Sequence, residues 1–438
     1  MVLRRTISNV ICAGVNLLKG GWRKLRKVGA GVFFCSVSAN EWNQPANAQP
    51  FAVRQTFNSI TSFSNVYGNP ASFPNGNPFP YIYNPSSPRF LPAATVETIA
   101  EGYKWPLSYQ INAAVQHQFP QHLSATFAYV GVLTNHIPFA TDKNYAPYAP
   151  GATTSQTSIN ARRPYDPGVL GQVTYIETQE TASYHSLQIT ASRPLTRNLM
   201  LNGFYVLSHS FDGVNPGGDG QSSAQDFANL WEERGVATQD QRHVASISGI
   251  WKPDYYQGSN LLLKNIVNGW SISPIVSLQS GLPFTVSTGA DQNDDSSNAN
   301  RPDIVAGAPI VLNPHRCRIC TGGAASEWFN TAAFVYNGSG VAGGIGPGGA
   351  DGNAPRNFLR APGYRDIDLG VFRDIHFEKL TLQLRGEATN AFNLVSLNAP
   401  GSSGPPKTLG AANASSTFGK ITGAASPRLI QVGARLTF

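Results

Sequence analysis

Apolar residues return at every second position in several stretches of this chain, and the last stretch is the cleanest. Ile430, Val432, Ala434, Leu436 and the terminal Phe438 alternate with Leu429, Gln431, Gly433, Arg435 and Thr437. Successive side chains of a β-strand point to opposite faces, so this segment has one apolar face and one mostly hydrated face. A strand of roughly 10 residues is long enough to cross a bilayer when tilted. A soluble strand rarely ends a chain on an unprotected aromatic edge.

Upstream segments repeat the pattern as hairpins. Tyr109, Ile111, Ala113, Val115 and Phe119 alternate with Gln110, Asn112, Ala114, Gln116 and Gln118; a turn at Pro120 to His122 leads into Leu123, Ala125, Phe127 and Tyr129. Leu187, Ile189 and Ala191 alternate with Ser186, Gln188, Thr190 and Ser192, and Pro194 to Arg197 turn the chain into a strand at Asn198 to Ser208. Strands near Val244 to Trp251 and Gly269 to Gln279 have blurred alternation, and Pro274 argues against a central place for the second. The final hairpin sets Ile367, Leu369 and Val371 against Leu380, Leu382, Leu384 and Ala388. Its other face carries Gln383, Arg385 and Glu387 and must be wet, because unpaired buried charge is costly. With Val28 to Phe34 the meander has ten strands.

The turns after about residues 119, 193 and 373 are short, whereas the connections at about 132 to 183, 209 to 242, 280 to 363 and 390 to 428 are long and rich in Gly, Ser, Asn and Pro. Short turns at one end and long loops at the other are the build of a transmembrane barrel. Compact soluble domains seldom carry so many long loops. The expected fold is therefore all-β: a transmembrane, antiparallel, up-and-down barrel with short periplasmic turns and long extracellular loops.

Composition changes this picture little. Only 13% of residues are charged, 43 are Gly and 31 are Pro, and no run of 18 apolar residues offers a transmembrane helix. The net charge of +7 comes from the N-terminal arm: seven of the 32 basic residues lie in residues 1–27, and the other 25 balance the 25 acidic residues. A nucleic-acid partner is therefore not expected. Residues 1–27 read as a basic arm ahead of a barrel region at 28–438. Residues 1–39 could be an export signal with a cleavage site after Ala39, or Lys27 to Phe34 could already be a strand with the true start lying upstream.

A set of motifs carries a family resemblance. They are Ser183-Tyr184-His185-Ser186-Leu187-Gln188, Asp240-Gln241-Arg242-His243, Ser280-Gly281-Leu282-Pro283-Phe284-Thr285-Val286, Asn300-Arg301-Pro302-Asp303, Trp328-Phe329-Asn330, Arg365-Asp366-Ile367-Asp368, Glu387-Ala388-Thr389-Asn390-Ala391-Phe392-Asn393, and Phe418-Gly419-Lys420-Ile421 with Phe438. In this order and spacing, from about Lys24 onward, the chain resembles the C-terminal barrel portion of Oar-like TonB-dependent outer-membrane receptors. The resemblance implies ligand uptake through extracellular loops and lumen, with Phe438 as an assembly signal read by the barrel-assembly machinery. It also implies outer-membrane lipid around the wall, an unidentified extracellular ligand, and coupling to the TonB complex through a plug domain. Plug, regulatory-like domain and TonB box are not seen in these 438 residues. The expectation is of part of a larger barrel, with Gln383, Arg385, Glu387, Gln431 and Arg435 facing the lumen and Leu380, Leu382, Leu384, Val432, Leu436 and Phe438 facing lipid.

Candidate chemistry is sparse. Cys317 and Cys320 form a C-x-x-C beside His315, open to reading as a loop disulfide, free thiols or a metal site; an exported protein favours the disulfide. Asp291, Asp294, Asp295 and Asp303 lack EF-hand spacing and read as a solvated loop. His243 reads as a rim residue at a strand start, and Trp105, Tyr109, Tyr129, Trp251 and Trp270 as interfacial girdles. No G-x-S-x-G, H-E-x-x-H or Walker A pattern occurs, so no catalytic, cofactor or metal residue is assigned and an enzyme is not expected. Two other classes stay open. One is a surface or adhesion protein anchored by the barrel; the other is a secreted β-sandwich that binds glycans, in which the Leu stripes would pack on a second sheet.

Overall fold

The computed structural model describes residues 15–17, 24–34, 43, 45–52, 62–68, 77, 82–88, 90, 94–149, 155–196, 198–213, 224–291, 295, 299–311, 327–337, 351–376, 380–407 and 412–438. In chain order the strands are β1 (Val15–Leu17), β2 (Lys24–Phe34), β3 (Ala94–Ile99), β4 (Leu107–Gln118), β5 (Ser124–Asp142), β6 (Leu170–Thr196), β7 (Leu199–Asp212), β8 (Gly235–Val236), β9 (His243–Trp251), β10 (Trp270–Gln279), β11 (Pro283–Phe284), β12 (Asp303–Ile304), β13 (Phe334–Val335), β14 (Leu359–Arg360), β15 (Tyr364–His376), β16 (Thr381–Thr389) and β17 (Leu429–Thr437). One 13-stranded sheet runs β1-β2-β4-β5-β6-β7-β9-β10-β15-β16-β17, with β3 on β6 and β8 on β7. Every neighbouring pair along this path is antiparallel. Among the described residues the sheet is open, since β1 pairs only β2 and β17 pairs only β16.

The ten expected strands are all present, and two details differ. First, β5 and β6 reach 19 and 27 residues and run far into the segment read as a loop between 132 and 183. Nineteen residues span about 60 Å, more than a bilayer requires. The upper parts of both strands escape period-two reading because runs such as Thr178-Gln179-Glu180-Thr181 are polar on both faces. Second, Pro274 is central: β10 pairs β9 on one side and β15 on the other. The β15 ladder is continuous through Pro274↔Leu369, but the β9 ladder skips from Ile272↔Trp251 to Ile275↔Ser248. Proline is tolerated where no ladder bond is made. The connection between β9 and β10 holds a short helix, α1 (Leu261–Val267). At the N-terminal side, Lys24, Arg26 and Lys27 of the basic arm lie inside β2.

Register carries two faces across the whole sheet. Directly paired residues share a face, and the chain of pairs Arg26↔Val115↔Phe127↔Ile189↔Tyr205↔Ala245↔Leu278 continues the face that holds Ile272, Val371, Leu382, Leu384, Val432 and Leu436. Many of its large side chains are solvent-exposed, among them Leu384 at 43%, Ile247 at 51% and Val432 at 80%. The opposite face holds Gln110, Asn112, Thr126, Gln188, Asn202, Ser246, Ser277, Asp366 and Gln383, interspersed with apolar residues such as Val132, Phe204, Ile275 and Phe372. No second sheet packs on the apolar face among the described residues, which removes the β-sandwich reading.

One cluster of buried apolar side chains lies outside the strands that form the wall. Val286, Phe329, Ala333, Phe334, Leu359 and Phe418 pack together, with Phe284, Ile304, Ile310 and Trp328 against them. All of these residues come from the long connections β10–β15 and β16–β17, which fold into a cap at the long-loop end of the sheet.

Candidate functional site

The polar face and the cap together form the candidate site. On the polar face Gln383 lies opposite Arg435 and Asp374, Glu387 opposite Gln431, and Arg385 opposite Gly433 and Phe372. Gln383 Nε2 donates to Asp374 Oδ1 at 2.8 Å, and Arg385 Nε donates to Gln383 Oε1 at 2.6 Å. The five polar residues singled out from the sequence thus share one face of β16 and β17. Phe438 follows β17 and is 94% exposed. Cys317 and Cys320 lie outside the described residues.

Four arginine–carboxylate pairs fasten loop to wall and loop to loop. Arg163 reaches Asp142, the last residue of β5, at 2.7 Å, and Arg301 reaches Glu233 at 2.6 Å, with all four side chains buried. Arg356 pairs with Asp212 at the end of β7, and Arg360 with Asp240 just before β9. Gln225 ties the set together: its N–H donates to Glu233 Oε1 (2.9 Å), its Oε1 accepts from Arg301 N–H (2.7 Å), and its Nε2 donates to Gly352 O (2.9 Å). Burial alone would raise the Asp240 carboxyl. The Arg360 guanidinium, the Ser210 N–H (2.6 Å) and His209 outweigh that and hold it below the usual carboxylate range.

Several motif residues now have physical roles. Asn390, at φ 47°, receives Leu394 N–H on its Oδ1 (2.7 Å) and donates from Nδ2 to Leu394 O (2.9 Å), which stitches the bend after β16. Phe329 and Phe418 meet edge to face with centroids 5.2 Å apart in the cap core. Gly419 has φ +72°, and a Cβ there would meet Thr331 Cγ2 at 2.3 Å. Asp240 and Arg301 are internal partners of the cap. These roles depend on pairings between distant loops, which no local spacing announces.

The acidic stretch is not the solvated loop expected from its composition. Asp303 is 0% and Asp295 4% exposed, and Asp303 accepts a bond from Asn353 N–H at 3.2 Å. Asp294 lies outside the described residues. Burial, followed by repulsion from Asp226, Asp295 and Glu232, pushes the Asp351 carboxyl up to about 7 against the opposing pull of Arg301. Among the described residues no group of three or more His, Cys, Asp or Glu side chains is placed to hold a metal ion.

Where the polar face meets the cap, a concavity of about 340 Å³ is lined by Glu180, Tyr184, Ser208, Ser210, Gln239 and Gln241. Sequence reading missed it, because its lining comes from the upper ends of β6 and β7 and from the loop before β9. Ser208 donates to Gln241 O at 2.8 Å, and Gln241 Nε2 to Gln279 Oε1 at 3.0 Å, so this wall is held in place.

Aromatics mark both ends of the apolar face. Trp251 and Trp270 lie at the short-turn end; the Arg373 guanidinium sits 4.8 Å over the Trp270 ring, and Trp270 Nε1 donates to Ile266 O at 3.0 Å. Leu263 and Ile266 of α1 and Tyr255 are exposed beside them. Tyr109 stands toward the other end. Among the described residues no helix is long and apolar enough to cross a membrane, a result silent on strands.

Comparison with known proteins agrees with this architecture. The family description "Outer membrane beta barrel domain" matches residues 26–431. No curated protein matches the chain. Among solved structures, the outer membrane transporter YddB from Escherichia coli aligns at 8% identity and TM-score 0.44, over 94% of this chain and 38% of its own. The siderophore receptor PiuA from Acinetobacter baumannii aligns at 6% and 0.40, over 97% and 35%. The ferric citrate transporter FecA in unliganded form aligns at 10% and 0.36, over 95% and 36%. The chain therefore spans little more than a third of the length of these structures. With its antiparallel up-and-down sheet, its single continuous apolar face and a family match over most of its length, this chain belongs to the outer-membrane β-barrel domain family and is a protein of the outer membrane.

Proposed function

We propose that the chain forms the C-terminal wall and extracellular cap of an Oar-like, TonB-dependent transporter or receptor that takes up an extracellular ligand. The observation that carries this reading is the separation of polar and apolar faces by register across all ten full-length strands, with a folded cap at one end only. A polar face suits a water-filled or plugged lumen, and an apolar face suits lipid. Gln383, Arg385, Glu387, Gln431 and Arg435 line the lumen, the cap and the concavity beneath it receive the ligand, and Phe438 ends at the periplasmic rim. A bilayer does not tolerate unpaired strand edges, so the free edges of the sheet, at β1 and β17, meet further strands or each other. Energy coupling runs through a plug domain and the TonB complex.

The experiment compares solutes consumed from culture medium, by mass spectrometry, in the wild type, in a strain lacking this gene and in a strain lacking TonB. A solute left unconsumed in both mutants is the expected result and identifies the ligand. A solute spared only by loss of this gene contradicts TonB coupling. Wild-type consumption in the gene-deletion strain, with surface binding lost instead, favours the adhesion reading.

A further inference from the structure

The concavity under the cap faces the polar side; a second one opens on the apolar side of the same wall. It has a volume of about 530 Å³ and is lined by Tyr109, Leu133, Asn135, Thr181, Ser183 and Arg234. Register places these strand residues on the apolar face: Tyr109↔Leu133↔Ser183 form one row across β4, β5 and β6, and Asn135↔Thr181 form the next row toward the cap. The lining therefore grades from apolar (Tyr109, Leu133) through neutral polar (Ser183, Asn135, Thr181) to a cation.

Arg234 closes the top. Its Nη1 donates to Thr181 Oγ1 at 2.8 Å, and its guanidinium lies 5.7 Å from the Trp231 ring centroid; the Trp231 side chain itself is 77% exposed. Arg163, Arg301, Arg356 and Arg360 all pair with carboxylates. Arg234 is exposed and has no carboxylate partner among the described residues. An arginine leaves spare donors in a fork suited to phosphate, and an exposed indole beside it suits the boundary between headgroup and acyl chain.

We propose that this groove is a site for a phosphorylated lipid of the outer leaflet, with its acyl chain along Tyr109 and Leu133 and its phosphate on Arg234. The order of apolar, hydroxyl or amide, and cationic groups toward the cap matches the order of acyl chain, polar linkage and phosphate toward the membrane surface. The assignment rests on the reading that the apolar face meets lipid and that the cap is extracellular.

Native mass spectrometry of the full chain in neutral detergent tests the site, with bisphosphorylated lipid A and phosphatidylcholine as probes. The expected result is preferential retention of lipid A. That retention should weaken about fivefold in Arg234→Gln, the effect of one basic residue at a charged lipid surface. Arg234→Lys should keep most of it, and equimolar inorganic phosphate should not compete. Equal retention of both lipids, no change in Arg234→Gln, or displacement by inorganic phosphate overturns the proposal. Leu382→Cys in outer membranes tests the face separately: if it resists a water-soluble maleimide while lipid selectivity is absent, the site alone fails.

Discussion

The Tyr129 hydroxyl lies 2.7 Å from His185 Nδ1 on the neighbouring strand, with the two rings stacked at 6.2 Å and 24°. Tyr205 and His243 repeat the arrangement two strands further on, at 2.8 Å, 6.1 Å and 24°. Both pairs sit on the apolar face, where each histidine is diagonal to its tyrosine. A polar atom on a lipid-facing surface needs an internal partner, and these pairs supply one. Gly131, opposite His185, leaves room for the tyrosine, since a Cβ there would meet Tyr129 Oη at 2.8 Å.

Tyr129→Phe leaves the imidazole of His185 without its partner. The expected loss is about 1–3 kcal/mol in barrel stability, the cost of an unsatisfied polar group. Tyr129→Phe combined with His185→Leu should recover most of it. Urea unfolding in lipid vesicles measures both; additive losses would show that the pair is not coupled.

Glu233→Gln removes the carboxylate from Arg301, which is 4% exposed on its side chain. Breaking a buried pair by removing one partner costs about 3–5 kcal/mol. The effect should be confined to the cap. Hydrogen exchange should rise around residues 299–311 and 351–360 while β15–β17 stay protected. Uniform loss of protection would mean that cap and wall unfold as one unit.

Asp351 gives the cap a pH dependence. Its carboxyl titrates near 7 when folded, against 3.8 when unexposed to burial and its acidic neighbours. The folded cap therefore binds more protons than the unfolded one between about pH 4 and 7, and its stability falls as pH rises through that window. Protease resistance of the cap should be greater at pH 5 than at pH 8, and Asp351→Asn should flatten the difference. Greater resistance at pH 8 would contradict the assigned shift.

The wall was legible in the sequence because lipid and water impose period two on a strand. Leu382, Leu384 and Leu436 against Gln383, Glu387 and Arg435 need no tertiary knowledge. Pro274 misled, because its tolerance depends on a gap in one ladder that only the pairing shows. The cap was illegible for a different reason. Arg356 and Asp212 are 144 residues apart, and Arg301 and Glu233 are 68 apart. Low-information Gly- and Asn-rich loops give no hint of such partners. The upper halves of β5 and β6 were missed because they are polar on both faces in places and carry a third strand there, β3, which pairs with β6 as far as Ile99↔Ile176.

The central claim is that one face of the sheet meets lipid and the other water. Single cysteines at consecutive positions from Leu382 to Ala388 in β16, in a background without native cysteines, can be exposed in outer membranes to a membrane-impermeant maleimide. Labelling should alternate, strong at Gln383, Arg385 and Glu387 and weak at Leu382, Leu384 and Ala388. Uniform labelling, or labelling of the Leu positions alone, would contradict the account.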